Sequence, residues 1–179
     1  MNLYLRLIWT WLCALRKPRI RIGESIRMRL RVWPNDLDVN GHMNNGRYMT
    51  LTDLALIEYF TRAGLLRVAL QRGWRPMLGG ALISFRRGLK PLRAYDLCFA
   101  MTCWDERWSY LRFEFVHDGR TMATGCAKGA VVGRQGIVPS AEVLAALGLP
   151  AESPPVPAAI GSWLAAEKAL GEPGPETPP

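Results

Sequence analysis

Residues 35–48 hold the side chains whose types and spacing are best suited to chemistry. The segment reads NDLDVNGHMNNGRY and contains two carboxylates, one histidine, four asparagines and two glycines. Asn, Asp and Gly favour a turn, because they tolerate unusual backbone angles and hydrogen-bond to the nearby backbone. An apolar-periodic run from Tyr48 to Leu70 follows, so the segment also leads into a helix N-terminus, whose free N–H groups can hold a developing oxyanion. A carboxylate at such a terminus forms a catalytic pair with it, in which one group attacks or activates water and the other stabilises charge.

The charge balance of the chain is strongly basic. Its 179 residues carry a formal net charge of +8, while 49% hydrophobic and 21% charged residues are ordinary for one folded domain. A basic surface favours polyanions, such as nucleic acid, acidic membrane surfaces or phosphorylated small molecules like coenzyme A. The basic residues are spread, with clusters at Arg16–Arg21 and Arg86–Arg93. No nucleic-acid module is recognisable, so nucleic acid is not an expected partner.

Cysteine and histidine are too few and too scattered for a metal or redox centre. The CxxC spacing is absent among the four cysteines, Cys13, Cys98, Cys103 and Cys126. We expect buried, reduced thiols, which indicate a reducing compartment and hence a cytoplasmic protein. With only two histidines, His42 and His117, no metal site and no redox cofactor are expected.

The elements that must position the loop are a sheet and one long helix. Residues 24–33 alternate between apolar and polar side chains, which predicts a half-buried strand before the loop. The run after the loop has helical spacing, and Gly64 is expected to end it before a short helix at 65–72. Four more strands and a short helix are predicted at roughly 77–88, 95–105, 108–117, 120–133 and Ser140 to Gly148. This order predicts an α+β fold, in which an antiparallel sheet of about five strands wraps around the long helix and leaves an edge free for another subunit.

The N-terminal segment, residues 1–19, is apolar with a basic end. Its apolar stretch is shorter than the roughly 20 residues that a membrane-spanning helix needs. Two interpretations of residues 1–17 stay open. The segment is either a helix that contacts the surface of a membrane, at the inner face for a cytoplasmic protein, or a helix that packs on its own domain or on a partner subunit.

The C-terminal segment, residues 149–179, is rich in proline. It contains one predicted helix, Ala158–Leu170, and ends in GEPGPETPP, which is predicted to be disordered. Residues 20–148 between the two ends are therefore expected to form the functional domain.

The loop and its neighbours resemble a known family. A strand, the motif D-x-D-x-x-G-H-x-N-N-x-x-Y and a long helix are similar to the hotdog-fold acyl-CoA thioesterases of the 4-hydroxybenzoyl-CoA thioesterase superfamily. The runs GGALISFRRGLKP and WDERWSYLRFEF resemble the branch with thioesterase superfamily member 6 and bacterial thioesterase-like proteins. The likeness covers about residues 20–148. It implies a hotdog fold, hydrolysis of acyl-CoA or acyl-carrier thioesters in lipid metabolism, no cofactor beyond the substrate's coenzyme A, and a homodimer or dimer of dimers with sites between subunits.

The resemblance also implies roles for residues of the loop. Asp38, the second Asp of the pair, is implied as the catalytic carboxylate, which attacks the thioester carbonyl or activates a water that does so. The backbone N–H groups from Asn45 to Arg47 would face the carbonyl oxygen. Gly46, Arg47 and Tyr48 are therefore candidate substrate-binding positions, although Tyr48 is also expected to pack in the core with a partner for its hydroxyl.

Other polar residues near the loop have two interpretations. His42 either polarises the carbonyl or orients Asp38, or it bonds a backbone carbonyl across the loop. Asn45 either caps the helix or, as a candidate catalytic residue, presents a polar group to the site. Asp36 is expected to form the turn. Glu58 lies on the apolar face of the helix, where a carboxylate needs a partner, and it is the reserve catalytic candidate because some hotdog thioesterases take their carboxylate from the helix.

Three positions further along are candidates for substrate contacts. Arg86 and Arg87 either bind the coenzyme A phosphates, because Arg binds phosphate in a bidentate manner, or lie on a solvated outer face. Gly80 either lets a ligand approach its strand closely or marks a bulge.

Two rival functions stay open. An enoyl-thioester hydratase shares the hotdog fold, but the Asp and His of its active loop are five apart, whereas His42 here follows Asp38 by four and Asp36 by six. The other rival is a non-catalytic hotdog protein, a lipid-binding or membrane-associated scaffold, which the Trp-rich N-terminal segment and the basic surface would suit. The presence of Asp38 and of the polar helix start favours the hydrolase.

Overall fold

The long predicted helix lies at the centre of the fold, and an antiparallel sheet curls around it. The computed structural model describes residues 3–171. The helices are α1 (Tyr4–Ala14), α2 (Asn45–Arg62), α3 (Leu65–Arg72), α4 (Ser140–Ala145) and α5 (Ala158–Gly171). The strands are β1 (Ile26–Arg31), β2 (Arg75–Phe85), β3 (Ala94–Trp104), β4 (Ser109–His117), β5 (Arg120–Gly133) and β6 (Gly136–Val138), with a 3-10 turn at Pro34–Asp36.

All strand pairs of the described sheet are antiparallel. Their order is β1-β3-β4-β5-β2, and β6 pairs with the end of β5. β3 shows how the sequence makes one face of the sheet a core face, since its alternate side chains Tyr95, Leu97, Phe99 and Met101 are buried in the main core. The predicted α+β fold, a sheet wrapped around one long helix, is confirmed.

Local sequence sets both ends of α2. The side-chain oxygen of Asn44, the N-cap, accepts the Gly46 N–H at 2.8 Å. Gly64 follows the helix with a φ of +82°, a left-handed conformation that costs glycine little. The predicted break at Gly64 is confirmed, and the helix begins three residues before Tyr48 because Asn44 caps it. The buried side chains of α2 are Tyr48, Leu51, Thr52, Leu54, Ala55, Glu58 and Tyr59.

The sheet differs from the prediction at two places. β2 spans Arg75–Phe85 rather than 77–88, because the N–H groups of Arg86 and Arg87 both donate to the Met122 carbonyl and end the regular ladder. β6 was not predicted, since three residues are too few to show a strand period.

Both flanking helices pack on the domain formed by the sheet and α2. In α5, Ile160 and Trp163 form a small apolar cluster with Cys103 and Tyr110, and Glu167 pairs with Lys128 of β5. The predicted helix at Ala158–Leu170 is confirmed. The predicted disorder falls on the final GEPGPETPP, of which all but the first residue lie outside the described residues.

α1 packs against α2, and two ion pairs hold the N-terminal segment on the domain. Arg6 contacts Asp36, and Lys17, just beyond the helix, contacts Glu58. Leu3 and Ala14 are buried in this contact. The packing interpretation of the N-terminal segment therefore holds for the inner face of α1. Within residues 3–171, none of the helices combines the length and the apolar character that crossing a membrane requires.

Candidate active site

The Asp38 loop is closed by its own hydrogen bonds. Asp38 Oδ1 accepts the backbone N–H groups of Asn40 at 2.9 Å and His42 at 3.3 Å, and the Asp38 N–H donates to the His42 carbonyl at 2.8 Å. A bridge between Leu37 and Met43 closes the base of the loop. Among the described residues, nothing pairs with the second carboxylate oxygen, Oδ2. The turn thus holds Asp38 by one oxygen and leaves the other available to a substrate or a water.

The N-terminus of α2 offers fewer free donors than the sequence suggests. The Gly46 N–H donates to the Asn44 side chain at 2.8 Å, and the Arg47 N–H donates to the Asn44 carbonyl at 2.9 Å. Of the three expected oxyanion donors, only the backbone N–H of Asn45 has no acceptor in the part of the chain that the structure describes. The N-cap residue accepts the N–H groups of Gly46 and Arg47, so the N–H group that remains available to an oxyanion is that of Asn45.

Asp36 and Arg47 form a buried ion pair rather than an open binding site. Asp36 is 0% exposed, and Arg47 donates to its Oδ1 through Nε at 3.0 Å and Nη2 at 2.7 Å. Arg6 of α1 donates to both Asp36 oxygens at 3.1 Å, and the Trp33 N–H donates to Oδ2 at 3.0 Å. The Arg47 guanidinium is therefore engaged by Asp36, and this differs from the substrate contact expected of Arg47. Asp36 joins α1, the loop and the start of α2.

The segment after β2 packs directly on the loop. A Cβ atom added to Gly88 would lie 2.7 Å from His42 Cδ2, so the imidazole ring rests against this glycine. The Leu89 carbonyl accepts the Met43 N–H at 2.8 Å. Within residues 3–171 neither nitrogen of the His42 ring has a hydrogen-bond partner, so the bond across the loop that was one of its two interpretations is not formed. The ring nitrogens are left to solvent or to a ligand.

Tyr48 links the loop to the core. Its ring is buried edge-on against Phe85 and Phe115, and its hydroxyl receives the Leu89 N–H at 3.4 Å. Burial raises the pKa of Tyr48; the Leu89 N–H opposes this effect, and the negative charge of Asp38 adds to it. The hydroxyl is therefore neutral near pH 7 and close enough to Asp38 to sense its charge.

Glu58, the reserve candidate, is buried and neutralised. Its Oε2 lies 2.7 Å from Lys17 Nζ, and its Oε1 lies 3.0 Å from Arg62 Nη1. Both oxygens are occupied, so the partner that a buried carboxylate needs here is a pair of cations. This arrangement removes the reason for holding Glu58 in reserve as a catalyst.

The remaining candidates lie on or after β2. A Cβ atom added to Gly80 would lie 2.6 Å from Glu167 Oε1, so the group that approaches this glycine is α5. Arg86 and Arg87 have exposed side chains, and they immediately precede Gly88, the glycine that touches His42. The two arginines are thus near the loop, whereas Gly80 is covered by the C-terminal helix.

An apolar cavity of about 410 Å³ lies between α2 and the sheet. Its walls include Met49, Leu56, Phe60, Phe99, Met101 and Phe113. Neither Asp38 nor His42 lines it; the lining residues that come next along the chain are Met49 and Thr50, which lie inside α2. The carboxylate in its wall is Asp53 of α2.

Asp53 differs from the buried carboxylates of the fold. It is exposed in the single subunit, and no group within residues 3–171 forms a hydrogen bond or an ion pair with it. The carboxyl is partly desolvated beside the cavity, and this desolvation raises the pKa of Asp53. Sequence reasoning passed over this residue, although Met49, Asp53, Leu56 and Phe60 follow the spacing of one helical face. The sequence signal that could have identified Asp53 is a single carboxylate on an otherwise apolar helical face.

The fold and this site define a class of protein. Residues 32–164 match the thioesterase-like superfamily, and the chain belongs to that superfamily. Its sheet and central helix are those of a hotdog fold. The chain superimposes on a gentisyl-coenzyme A thioesterase with a TM-score of 0.61 at 17% identity, covering 67% of this chain and 99% of the other.

The chain is also similar to two named proteins. The chain is 30% identical to Protein THEM6 of Xenopus laevis over 135 residues, which are 74% of this chain and 64% of the relative. It is 34% identical to the thioesterase poxG of Penicillium oxalicum over 105 residues, which are 50% of this chain and 35% of that protein. The chain therefore spans less than two thirds of the length of either relative.

Proposed function

We propose that the protein hydrolyses acyl-CoA or acyl-carrier thioesters with a carboxylate and without a metal or redox cofactor. The observation that carries this proposal is that α2 connects the two features: its N-terminus follows the Asp38 loop, and its residues Met49, Asp53 and Leu56 line the apolar cavity. An acyl chain in this cavity would bring its thioester group to the start of α2. Membership of the thioesterase-like superfamily supports the same chemistry.

In the proposed reaction Asp38 acts through its free oxygen, Oδ2. It either attacks the carbonyl carbon, forming an anhydride that water then cleaves, or takes a proton from a water that attacks. In both routes the carbon–sulfur bond breaks and the sulfur leaves as a thiolate. The water that completes hydrolysis gives its oxygen to the acyl product and a proton to that thiolate. The backbone N–H of Asn45 would donate to the developing oxyanion. In well-studied enzymes one such donor lowers the activation barrier by about 3–4 kcal/mol. His42 would orient the carbonyl or Asp38 through its unpaired ring.

Asp53 is the second candidate carboxylate of this site. It lines the cavity that Asp38 does not reach, and it has no cation to neutralise it within residues 3–171. A carboxylate with a raised pKa in an apolar cleft fits an acid–base or water-positioning role. We infer that Asp53 assists Asp38 from the side of the acyl chain.

The charged part of the substrate would lie on the other side of the loop. Arg86 and Arg87 are exposed, next to the glycine that packs on His42. Their guanidinium groups suit the phosphates of coenzyme A, or the acidic surface of an acyl carrier protein. A basic net charge of +8 supports an acidic ligand of this kind.

We propose that two subunits join through the outer edge of β2. This strand pairs with β5 on one side, and in the described sheet its other edge has no strand partner. Its side chains Leu78, Leu82 and Phe85 are exposed, which an edge strand of a monomer normally avoids. Met77 and Leu78 also line the cavity, so this homodimer would place the site beside the partner subunit. The homodimer would exist alone or as half of a tetramer.

We propose that the protein acts in the cytoplasm, in lipid metabolism, and that it contacts the inner face of a membrane peripherally. All four cysteines are free, which suits a reducing compartment. The apolar outer side of α1 supports contact with lipid.

The test is thiol release from short-, medium- and long-chain and aromatic acyl-CoAs, with wild type beside Asp38→Ala. We expect turnover that the variant loses, and the panel gives the chain preference in the same experiment. Absence of turnover on every substrate would contradict the hydrolase. Identification of a co-purifying lipid by mass spectrometry would then establish the alternative, a non-catalytic lipid-binding scaffold.

A further inference from the structure

α1 has two faces of opposite character. With about 100° between successive residues, Leu3, Leu7, Thr10 and Ala14 fall on one side of the helix and pack on the domain. The opposite side, here called the outer face of α1, consists of Tyr4, Leu5, Ile8, Trp9, Leu12 and Leu15. All six of these side chains are exposed, Tyr4 at 67% and Trp9 at 68%. Single exposed apolar residues are normal on a protein surface, but a contiguous apolar face marks an interaction site.

Basic side chains border the outer face of α1. A groove between α1 and β1 is lined by Leu5 and Trp9 on one side and by Arg29, Arg31 and Trp33 on the other. No carboxylate lines this groove among the described residues, although Arg29 contacts Asp96 outside it.

The end of α1 adds further positive charge. Arg16 and Arg19 follow the helix with exposed side chains. In the part of the chain that is described, Arg16, Arg19 and Arg31 form no ion pair, so their charges are available to a partner.

We propose that the outer face of α1, with Trp33 and the bordering arginines, is a docking surface for an anionic phospholipid bilayer. Trp and Tyr side chains favour the headgroup level of a bilayer, and arginines beside them complement anionic headgroups. A helix that lies in the membrane plane needs this combination, an apolar face with a basic border. A protein partner could cover the apolar side chains, but the clustered positive charge favours the lipid surface.

The ion pair of Arg6 ties this surface to the domain. Arg6 pairs with Asp36, which also holds Arg47 at the start of α2. A bilayer that docks on the outer face of α1 would therefore lie beside the loop that contains Asp38. This position suits acyl thioesters that partition into membranes, and in this respect the inference builds on the proposed function. The docking itself does not depend on hydrolysis.

The first test is sedimentation of the full chain with vesicles, without any substrate. Vesicles of phosphatidylcholine and phosphatidylglycerol in equal parts are compared with vesicles of phosphatidylcholine alone. We expect at least about tenfold stronger binding to the anionic vesicles. The double variant Ile8→Ser with Trp9→Ser is expected to lose about tenfold or more of that binding. Its matched control is Leu70→Ser with Val156→Ser, which removes two exposed apolar side chains elsewhere and should bind like wild type.

A second pair of variants tests the charges. Arg16→Gln with Arg19→Gln should weaken binding to the anionic vesicles several-fold. The control Arg107→Gln with Arg134→Gln removes equal charge from exposed turns at the opposite end of the sheet from Arg31, and it should change binding little. Equal binding of wild type to both kinds of vesicle would overturn the proposal. So would unchanged binding of the α1 variant, and a dimer that this variant dissociates would then show that a second copy covers the face. Because no substrate is present, a protein without thioesterase activity would give the same answer about docking.

Discussion

Two pairs of carboxylates along the loop and α2 differ in what surrounds them. Asp36 and Glu58 are buried, and each is paired with two cations. Asp38 and Asp53 are more exposed, and neither has a cationic partner within residues 3–171. A buried carboxylate without a cation would cost several kcal/mol, so the fold requires the pairing of the first two. It makes no such demand of Asp38 and Asp53, which are therefore available for chemistry.

Sequence position does not separate these pairs. Asp36 and Asp38 belong to one motif, and Asp53 and Glu58 lie on one helix. The difference comes from the N-terminal segment, which supplies Arg6 to one buried carboxylate and Lys17 to the other.

The largest effect should follow from Asp38→Asn. The amide keeps an oxygen for the N–H groups of Asn40 and His42, so the loop and the free energy of unfolding should be retained. The nucleophile or base is lost, and turnover should fall by about a thousandfold. Thiol release and urea unfolding of the same preparation measure the two quantities. Wild-type turnover in a folded variant would place the chemistry elsewhere, with Asp53 as the next residue to change.

The buried pair should respond in the opposite way. Glu58→Gln leaves Lys17 and Arg62 without a counter-charge, and Asp36→Asn does the same to Arg6 and Arg47. Each change should lower the free energy of unfolding by about 3 kcal/mol. Thermal unfolding should show this as a drop of roughly 6–12 °C. If Glu58→Gln and Asp36→Asn were as stable as Asp38→Asn, the ion pairs of the buried carboxylates would not contribute to stability.

Asp53→Asn should have a smaller effect, on turnover and on its pH dependence. We expect turnover near neutral pH to fall by about tenfold. The raised pKa of Asp53 means that wild type loses the ionised form at a higher pH than an ordinary carboxylate would, so kcat/KM should begin to fall early as the pH drops. A pH–rate profile of the variant should lack this early fall. An identical profile would mean that Asp53 does not take part.

The smallest expected effect is the change in the free energy of unfolding caused by Asp53→Asn. A raised carboxyl pKa means that the folded state binds the proton more tightly than the unfolded state does. The contribution of this group to stability therefore falls as the pH rises through the folded pKa. Asp53→Asn should stabilise the protein slightly at neutral pH and lose this advantage in acid, and the gain should be small because solvent screens the exposed carboxylate. Urea unfolding at both pH values measures it, and a loss of stability at neutral pH would show that Asp53 has a structural partner.

Much of the fold could be predicted from patterns that operate over short distances. Alternation in β1 and β3, the Asn44 cap and the Gly64 break are properties of a few neighbouring residues, and the structure has these elements within a few positions. The ends of β2 and the existence of β6 could not be predicted, since they depend on hydrogen bonds from other strands. For the candidate site, the motif singled out Asp38 and the helix start, but it could not show that Asn44 occupies the donors of Gly46 and Arg47.

The sequence by itself determined the class of fold, the reactive loop and the helix that follows, because turn chemistry, capping and hydrophobic period are local. The tertiary structure alone decided which carboxylates are neutralised. Arg6 reaches Asp36 across thirty positions and Lys17 reaches Glu58 across forty-one, contacts that exist only once α1 packs on α2. It also decided that Asp53 lines the cavity. Charge pairing and burial depend on which surfaces meet in space, and no spacing along the chain encodes that meeting.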